Sequence, residues 1–522
     1  MWFHFVAISG SAMRHSALSW PLTRRAYLAH TLALAAAPAW AGAAQRAHQR
    51  WVVINMSLEP DSLDPTMAAS AAVGEVVHYN VLEGLTRIEE NGSVAPLLAQ
   101  RWQMDARQRT CTLQLRQGVR FHDGTPFNAA AVRFSFERAR APGSTNKART
   151  TLFDNIAHIA TPDAHTVVLG LHHADAHLPF RLGENTAVIL SPASAGAAAT
   201  APVGTGPYRV QQWQRGHSIT LEPASTYRHA KTLYMRGATF RFLYTPEAQA
   251  AALHGEEMDL FLHFATNSVR GLVADSRYQL LLGTSSSKGL LALNHRRAPL
   301  ADLRVRRAIT HAIDREAFIR TVFEGRGTVI GSHFSPSDPG YLHLAHRYPY
   351  DPDRARALLR EALGPAPLRL SLALPPPPYA RLGGPVLAAD LERVGIAVEP
   401  RPLEWAQWLA GPFKGDFDMT LITHVEPLDY PIYTDPGYYF GYDSAAFRQL
   451  VQRHAQSESP RERARLFAQL QRHLAEDAVN AWLYASQVGT VVRKGLRGVW
   501  MHYPIFVHDI AALRWESEEN TA

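Results

Sequence analysis

Gly204-Thr205-Gly206-Pro207-Tyr208 is informative because of the segments that stand in order around it. Upstream are Ser62-Leu63-Asp64-Pro65, Leu82-Glu83-Gly84-Leu85, Pro96-Leu97-Leu98-Ala99 and Phe121-His122-Asp123-Gly124-Thr125-Pro126-Phe127. Downstream are Asp302-Leu303-Arg304-Val305-Arg306-Arg307-Ala308 and Ala312-Ile313-Asp314-Arg315-Glu316. No one of these is diagnostic; their order and spacing are. Immediately before the run, the alanine-rich residues 193–201 read as a connection between domains.

The rest of the chain supplies regular elements. Trp51-Val52-Val53-Ile54-Asn55 reads as a short apolar strand, and Cys111, Leu113 and Leu115 alternate as strand core. Residues 128–140 are helical. Past Leu300, Val305, Ala308, Ile309, Ala312 and Ile313 share one helix face, and Asp351-Pro352 supplies an N-cap and first-turn proline. Leu368, Leu370, Leu372 and Leu374 alternate; Val386, Leu387, Leu391 and Val394 make a helix stripe ended by Gly395; residues 396–398 resume a strand. This is a βαβ unit and predicts a parallel sheet. Ser459-Pro460-Arg461-Glu462 reads as a capping box ahead of Leu466, Leu470 and Leu474.

A length of 522 residues suggests about three domains. Net charge is +7, and residues 1–43 contribute three arginines and no acid to it. The basic residues are scattered and form no aromatic-interleaved cluster, which argues against nucleic acid as a partner. Cys111 is the only cysteine, so neither an intrachain disulfide nor a four-cysteine metal site can form. Thr23-Arg24-Arg25-Ala26-Tyr27-Leu28, followed by the apolar residues 31–37 and by Ala39 and Ala41, resembles a twin-arginine export signal with cleavage after Ala41 or Ala43. Residues 1–43 are thus expected to be a removed signal peptide, with Met13 a possible start, and the mature protein to be periplasmic.

The ordered segments resemble the extracellular solute-binding proteins of the peptide/nickel class, over a span from about Val52 to Trp515. The resemblance implies a two-lobed α/β periplasmic-binding fold with an inserted β-rich domain. Lobe one would comprise residues 46–90, 205–285 and 490–522, the insert 91–204, and lobe two 286–489. It implies a monomer that captures short peptides or peptide-like solutes by hinge closure and passes them to ABC permease subunits, with a nickel or other metal chelate as the alternative cargo. No enzyme chemistry and no cofactor is expected. Ser285-Ser286-Ser287-Lys288 matches an acylase pattern, but Gly289-Leu290-Leu291-Ala292-Leu293 after it is a strand where that pattern requires a helix.

The same resemblance points to ligand-binding residues. An acid following residues 418–423 pairs with a ligand's α-amino group, and Glu426 and Asp429 are the two candidates. His424 stands where relatives carry tryptophan, and Tyr430 closes the same specificity stretch. Trp405 matches an aromatic wall position. Residues 66–74, with Ala71, and residues 482–486, with Tyr484, are expected to face the cleft. Tyr438-Tyr439-Phe440-Gly441-Tyr442 either joins the wall or packs beneath it. His172, His173 and His177 form the densest histidine group, read as solvated or hydrogen-bonded surface, and one histidine at 424 does not make a nickel site.

Overall fold

A computed structural model describes residues 43–516 apart from 57, 69–70, 106, 150 and 263–274. The twin-arginine run and its apolar stretch lie outside the described residues. The framework is one long sheet shared by two lobes. At one end Trp51–Met56 pairs in parallel with Gly237–Phe242, followed by Ser218–Pro223 and Tyr208–Gln214. At the other, Lys288–Leu293 is followed by Met419–His424, Leu368–Leu374 and Ile396–Pro402. The last two strands are parallel with Pro378–Glu392 between them, so the βαβ unit forms as its periodicity predicts.

The lobes meet on the strand Ala481–Arg493, whose two halves belong to different neighbourhoods. Its early residues pair with Lys288–Leu293, and residues 487–493 pair with Tyr278–Thr284. The chain therefore crosses between lobes twice, at residues 285–287 and 485–487, and Ser287 Oγ lies 2.5 Å from Ser486 Oγ where the two crossings touch. Beyond the crossing the strand ends in a buried charge cluster. Asp259 accepts from Arg46 Nη2 at 2.8 Å, Arg493 Nε at 3.2 Å and the Val53 amide at 2.9 Å. That cluster ties the first helix, Ala43–Gln49, to the returning strand. The return of the chain to lobe one, which the sequence could supply only by resemblance, is thus anchored by a carboxylate between two guanidinium groups.

A separate antiparallel sheet, Ala99–Met104, Thr110–Leu115, Thr166–Leu171 and Ile156–Asp163, forms the β-rich insert. The helix Ala129–Arg140 covers it, capped by Asn128, and its core holds Cys111, Leu113, Val132 and Phe136. The helix Pro460–Glu476 also starts where expected, but only half of the capping box forms. Ser459 accepts from the Glu462 amide, while the Glu462 carboxylate turns to Arg465 at 2.6 Å. A full charge on the partner outcompetes a neutral backbone amide.

The segments that decided the fold are mostly scaffold. At Gly204 a Cβ would stand 2.1 Å from the Val81 carbonyl oxygen, and at Gly206 2.4 Å from that of Asn80, so only glycine lets these backbones meet. Thr205 donates to Glu83 at 2.8 Å, and Glu83 is held by a two-pronged ion pair from Arg228, 2.7 Å on each side. His122 Nε2 bonds the Gly206 carbonyl at 2.9 Å. Three of the sequence segments thereby converge on one junction between lobe one and the insert. Likewise Asp64 accepts from Arg138 of the insert's helix at 2.7 Å. In lobe two, the buried Arg306 donates to the carbonyls of Leu300, Ala301, Asp477 and Ala478. The cores are apolar clusters, one in lobe one, one in the insert and two chiefly in lobe two.

Candidate functional site

The strand Met419–His424 runs antiparallel to Lys288–Leu293 and ends beside the crossing segments, with His424 opposite Lys288. The loop that follows is turned by Leu428, a non-glycine residue at φ 53°, and is pinned to a crossing where Ser286 Oγ donates to the Val425 carbonyl at 2.9 Å. A β-branched or bulky residue at positive φ stores strain, and such strain persists only where its surroundings fix it.

What fixes it is an ion pair. Lys288 is 1% exposed and donates Nζ to Asp429 Oδ1 at 2.8 Å and to the Glu426 carbonyl at 2.6 Å. The same Oδ1 accepts from His333 Nε2 at 2.8 Å, and Oδ2 accepts from His424 Nδ1 at 3.0 Å. Burial opposes ionisation of Asp429, yet His333 and Lys288 beside it hold the carboxyl well below its ordinary range. Burial likewise pushes His333 down to about 4, against the pull of Asp429, so the ring is neutral at pH 7. A neutral ring donating from Nε2 must accept at Nδ1, and the Tyr433 hydroxyl stands there at 2.9 Å. Tyr433 in turn accepts from Asn480 at 3.1 Å. The Tyr439 hydroxyl stands 3.0 Å from His424 Nε2.

Two imidazoles and a carboxylate within 4.8 Å of one another are donors a transition metal would accept. They do not fit one here. The Lys288 ammonium sits 2.8 Å from one oxygen of that carboxylate, and a dication beside a buried ammonium carries a large unscreened repulsion. The cluster is a closed electrostatic clasp that shapes the loop.

Glu426 is the contrasting acid. It is exposed, and among the described residues its carboxylate accepts only from the Val425 amide, at 3.3 Å. It stands near enough to Glu184 of the insert to act on it electrostatically. Burial pushes Glu184 up to about 7, with Arg181 and Lys147 opposing and Asp175 and Glu426 adding to the push. Neither acid has an ion pair among the described residues.

The other expected residues fall in three places. Trp405 opens the helix Trp405–Ala410, 43% exposed, edge-on to the buried Trp408 at 5.7 Å. Tyr484 was expected at the cleft but lies in the lobe-two core. Its ring stacks on Phe318 at 5.7 Å, its hydroxyl meets Thr423 at 2.8 Å, and a Cβ at Gly289 would come 2.2 Å from it. Tyr430 is 2% exposed and contacts His177 of the insert. His177, expected as surface, is therefore an interdomain residue. Ala71 begins the helix Ala71–Val77, and its side chain is outside the described set. Of the aromatic run, Tyr439, Phe440 and Tyr442 are buried and Tyr438 is half-buried.

Sequence reasoning missed Lys288, His333 and Glu184. A lysine opening an otherwise apolar, wholly buried strand was a usable signal, since a buried ammonium requires a carboxylate partner. His333 and Glu184 carried no such signal.

Among the described residues no helix is long and apolar enough to cross a membrane. The chain is 29% identical over 336 residues to the glutathione-binding protein of Pectobacterium atrosepticum, an alignment covering 64% of this chain and 63% of that protein. It is 26% identical over 396 residues to the dipeptide-binding protein of Escherichia coli, covering 70% of this chain and 74% of that one. The solved structure of HbpA2 from Haemophilus parasuis superposes with a TM-score of 0.81 at 21% identity, over 90% of this chain and all of that one, which confirms the two-lobed binding-protein fold. The family model for the bacterial extracellular solute-binding proteins, family 5, matches residues 93–443, two-thirds of the sequence. This chain belongs to that family.

Proposed function

We propose that this protein is the substrate-binding component of an ABC importer, exported to the periplasm as a monomer, which closes on a short peptide or peptide-like solute and presents it to the permease. The observation that carries the peptide reading is the division of labour between the two acids of the loop. Asp429 is neutralised internally by Lys288, so Glu426 is the carboxylate left to pair with a ligand's ammonium. Peptide and glutathione binding in the similar proteins supports that class of solute. The metal-chelate alternative draws no support from the cluster of His333, His424 and Asp429, whose carboxylate its own lysine neutralises.

Closure follows from differential affinity: a solute held by one lobe gains contacts from the other only when the lobes meet. Small-angle scattering of the purified protein, titrated with a pool of di- and tripeptides, is expected to show a smaller radius of gyration at saturation. An unchanged dimension across the titration would contradict hinge closure on peptides.

A further inference from the structure

The short helix Leu178–Arg181 of the insert straddles two cores. Leu178 and Leu182 point into the insert's own core, whereas Phe180 is buried with Phe334, Tyr430 and Phe467 of lobe two. Beside Phe180 the contact becomes polar. His177 Nε2 lies 2.9 Å from the Tyr430 hydroxyl, and that hydroxyl lies 3.2 Å from His454 Nδ1. The imidazoles are 5.2 Å apart, and Phe467 flanks both.

We infer that Tyr430 is a closure latch: it bridges His177 of the insert to His454 of lobe two, a bridge that is lost when both rings are charged, so acidification loosens the closed form. A phenol has one proton. It donates to one imidazole and accepts from the other; because it meets Nε2 of His177 and Nδ1 of His454, two neutral rings satisfy both bonds in the same tautomer, and at least one ring must stay neutral to accept. If both were protonated, both would be donors, and two cations would face each other 5.2 Å apart.

The surroundings favour the neutral state. Burial, then His454, Arg181 and Arg463 keep His177 well below its ordinary range. Burial and Arg463 hold His454 at about 4, against the pull of Asp175. Asp175 is not a free counter-ion for either ring, being paired with Arg181 at 3.0 Å. Glu184 is the further acid acting on Arg181. Protons have a route: an open groove of about 460 Å³ between insert and lobe two is lined by His172, His173, Asp154 and Asp175 together with the three latch residues.

The sign follows from linkage. A histidine whose affinity for protons is lowered in the closed form stabilises closure fully above the open-form value of about 6.5, and that stabilisation is lost as pH falls toward the closed-form value. A His454 that returned fully to about 6.5 on opening and stood at about 4 on closing would weaken the closing equilibrium by at most about 20-fold between pH 7 and pH 5.

This inference rests on the hinge closure proposed above. The test titrates the parent, the His177→Gln/His454→Gln double variant and Tyr430→Phe with the same di- and tripeptide pool at pH 7 and pH 5, following compaction by scattering. The parent should need more peptide at pH 5 for half-maximal compaction, up to about 20-fold, beyond any shift in the double variant, whose latch holds no titrating ring. Tyr430→Phe should weaken closure at pH 7 and show the smaller pH dependence. A parent and a double variant with equal pH dependence would overturn the latch. A parent that never compacts with peptide would overturn hinge closure itself, and the latch with it.

Discussion

Asp429→Ala is expected to destabilise the protein by about 3–5 kcal/mol, the cost of removing one partner of a buried ion pair. Lys288 is 1% exposed and has no other carboxylate within ion-pair distance among the described residues, so its ammonium would be left without a counter-ion. The loss does not end there, because His333 and His424 each give up an acceptor. Urea denaturation followed by tryptophan fluorescence measures the effect. Replacing both charges, as in Lys288→Met with Asp429→Leu, should recover most of the stability, since an apolar pair carries no desolvation penalty. If Asp429→Ala unfolded within about 0.5 kcal/mol of the parent, a margin typical of surface substitutions, the clasp would not be structural. The pH window is separate from that of the latch. Asp429 is held below its unfolded range, so its contribution is complete above about pH 4 and lost only as pH falls through the folded value.

Glu426→Ala is expected to leave stability unchanged and to weaken binding by about 2–5 kcal/mol, or roughly 30-fold to a few thousand-fold. The carboxylate is exposed and has no ion pair among the described residues, so its removal frees only the exposed Val425 amide, which water can satisfy. In the closed complex the ligand's ammonium would be desolvated with no carboxylate beside it. Calorimetry with a dipeptide that binds the parent separates the two acids: Glu426→Ala loses affinity, while Asp429→Ala loses stability. Unchanged affinity in Glu426→Ala would remove the basis for an amine-bearing solute.

The contrast between these two acids marks how far the sequence could be read. Periodicity and punctuation placed most strands and helices, because the alternation at residues 368–374 and the cap at Asp351 are local consequences of local sequence. The glycines at 204 and 206 were legible as part of a pattern, and the structure supplies the reason, a backbone contact that excludes any side chain. What was not legible depends on separation along the chain. Asp429 meets Lys288 across 141 residues and His333 across 96, and Tyr430 meets His177 across 253. From sequence, Glu426 and Asp429 were equivalent candidates three residues apart. Only the fold brings a lysine to one and leaves the other open. Tyr484 was misplaced for a related reason: along a strand that crosses from lobe to lobe, the register against Gly289 decides which residue enters the core.

The central claim is that an amine-bearing peptide or peptide-like solute occupies the cleft, and native mass spectrometry of the protein isolated from its host tests it most directly. The account predicts a bound mass in the range of short peptides, released on denaturation and carrying a free amine. A bound metal chelate, or a solute without an amine, would contradict it.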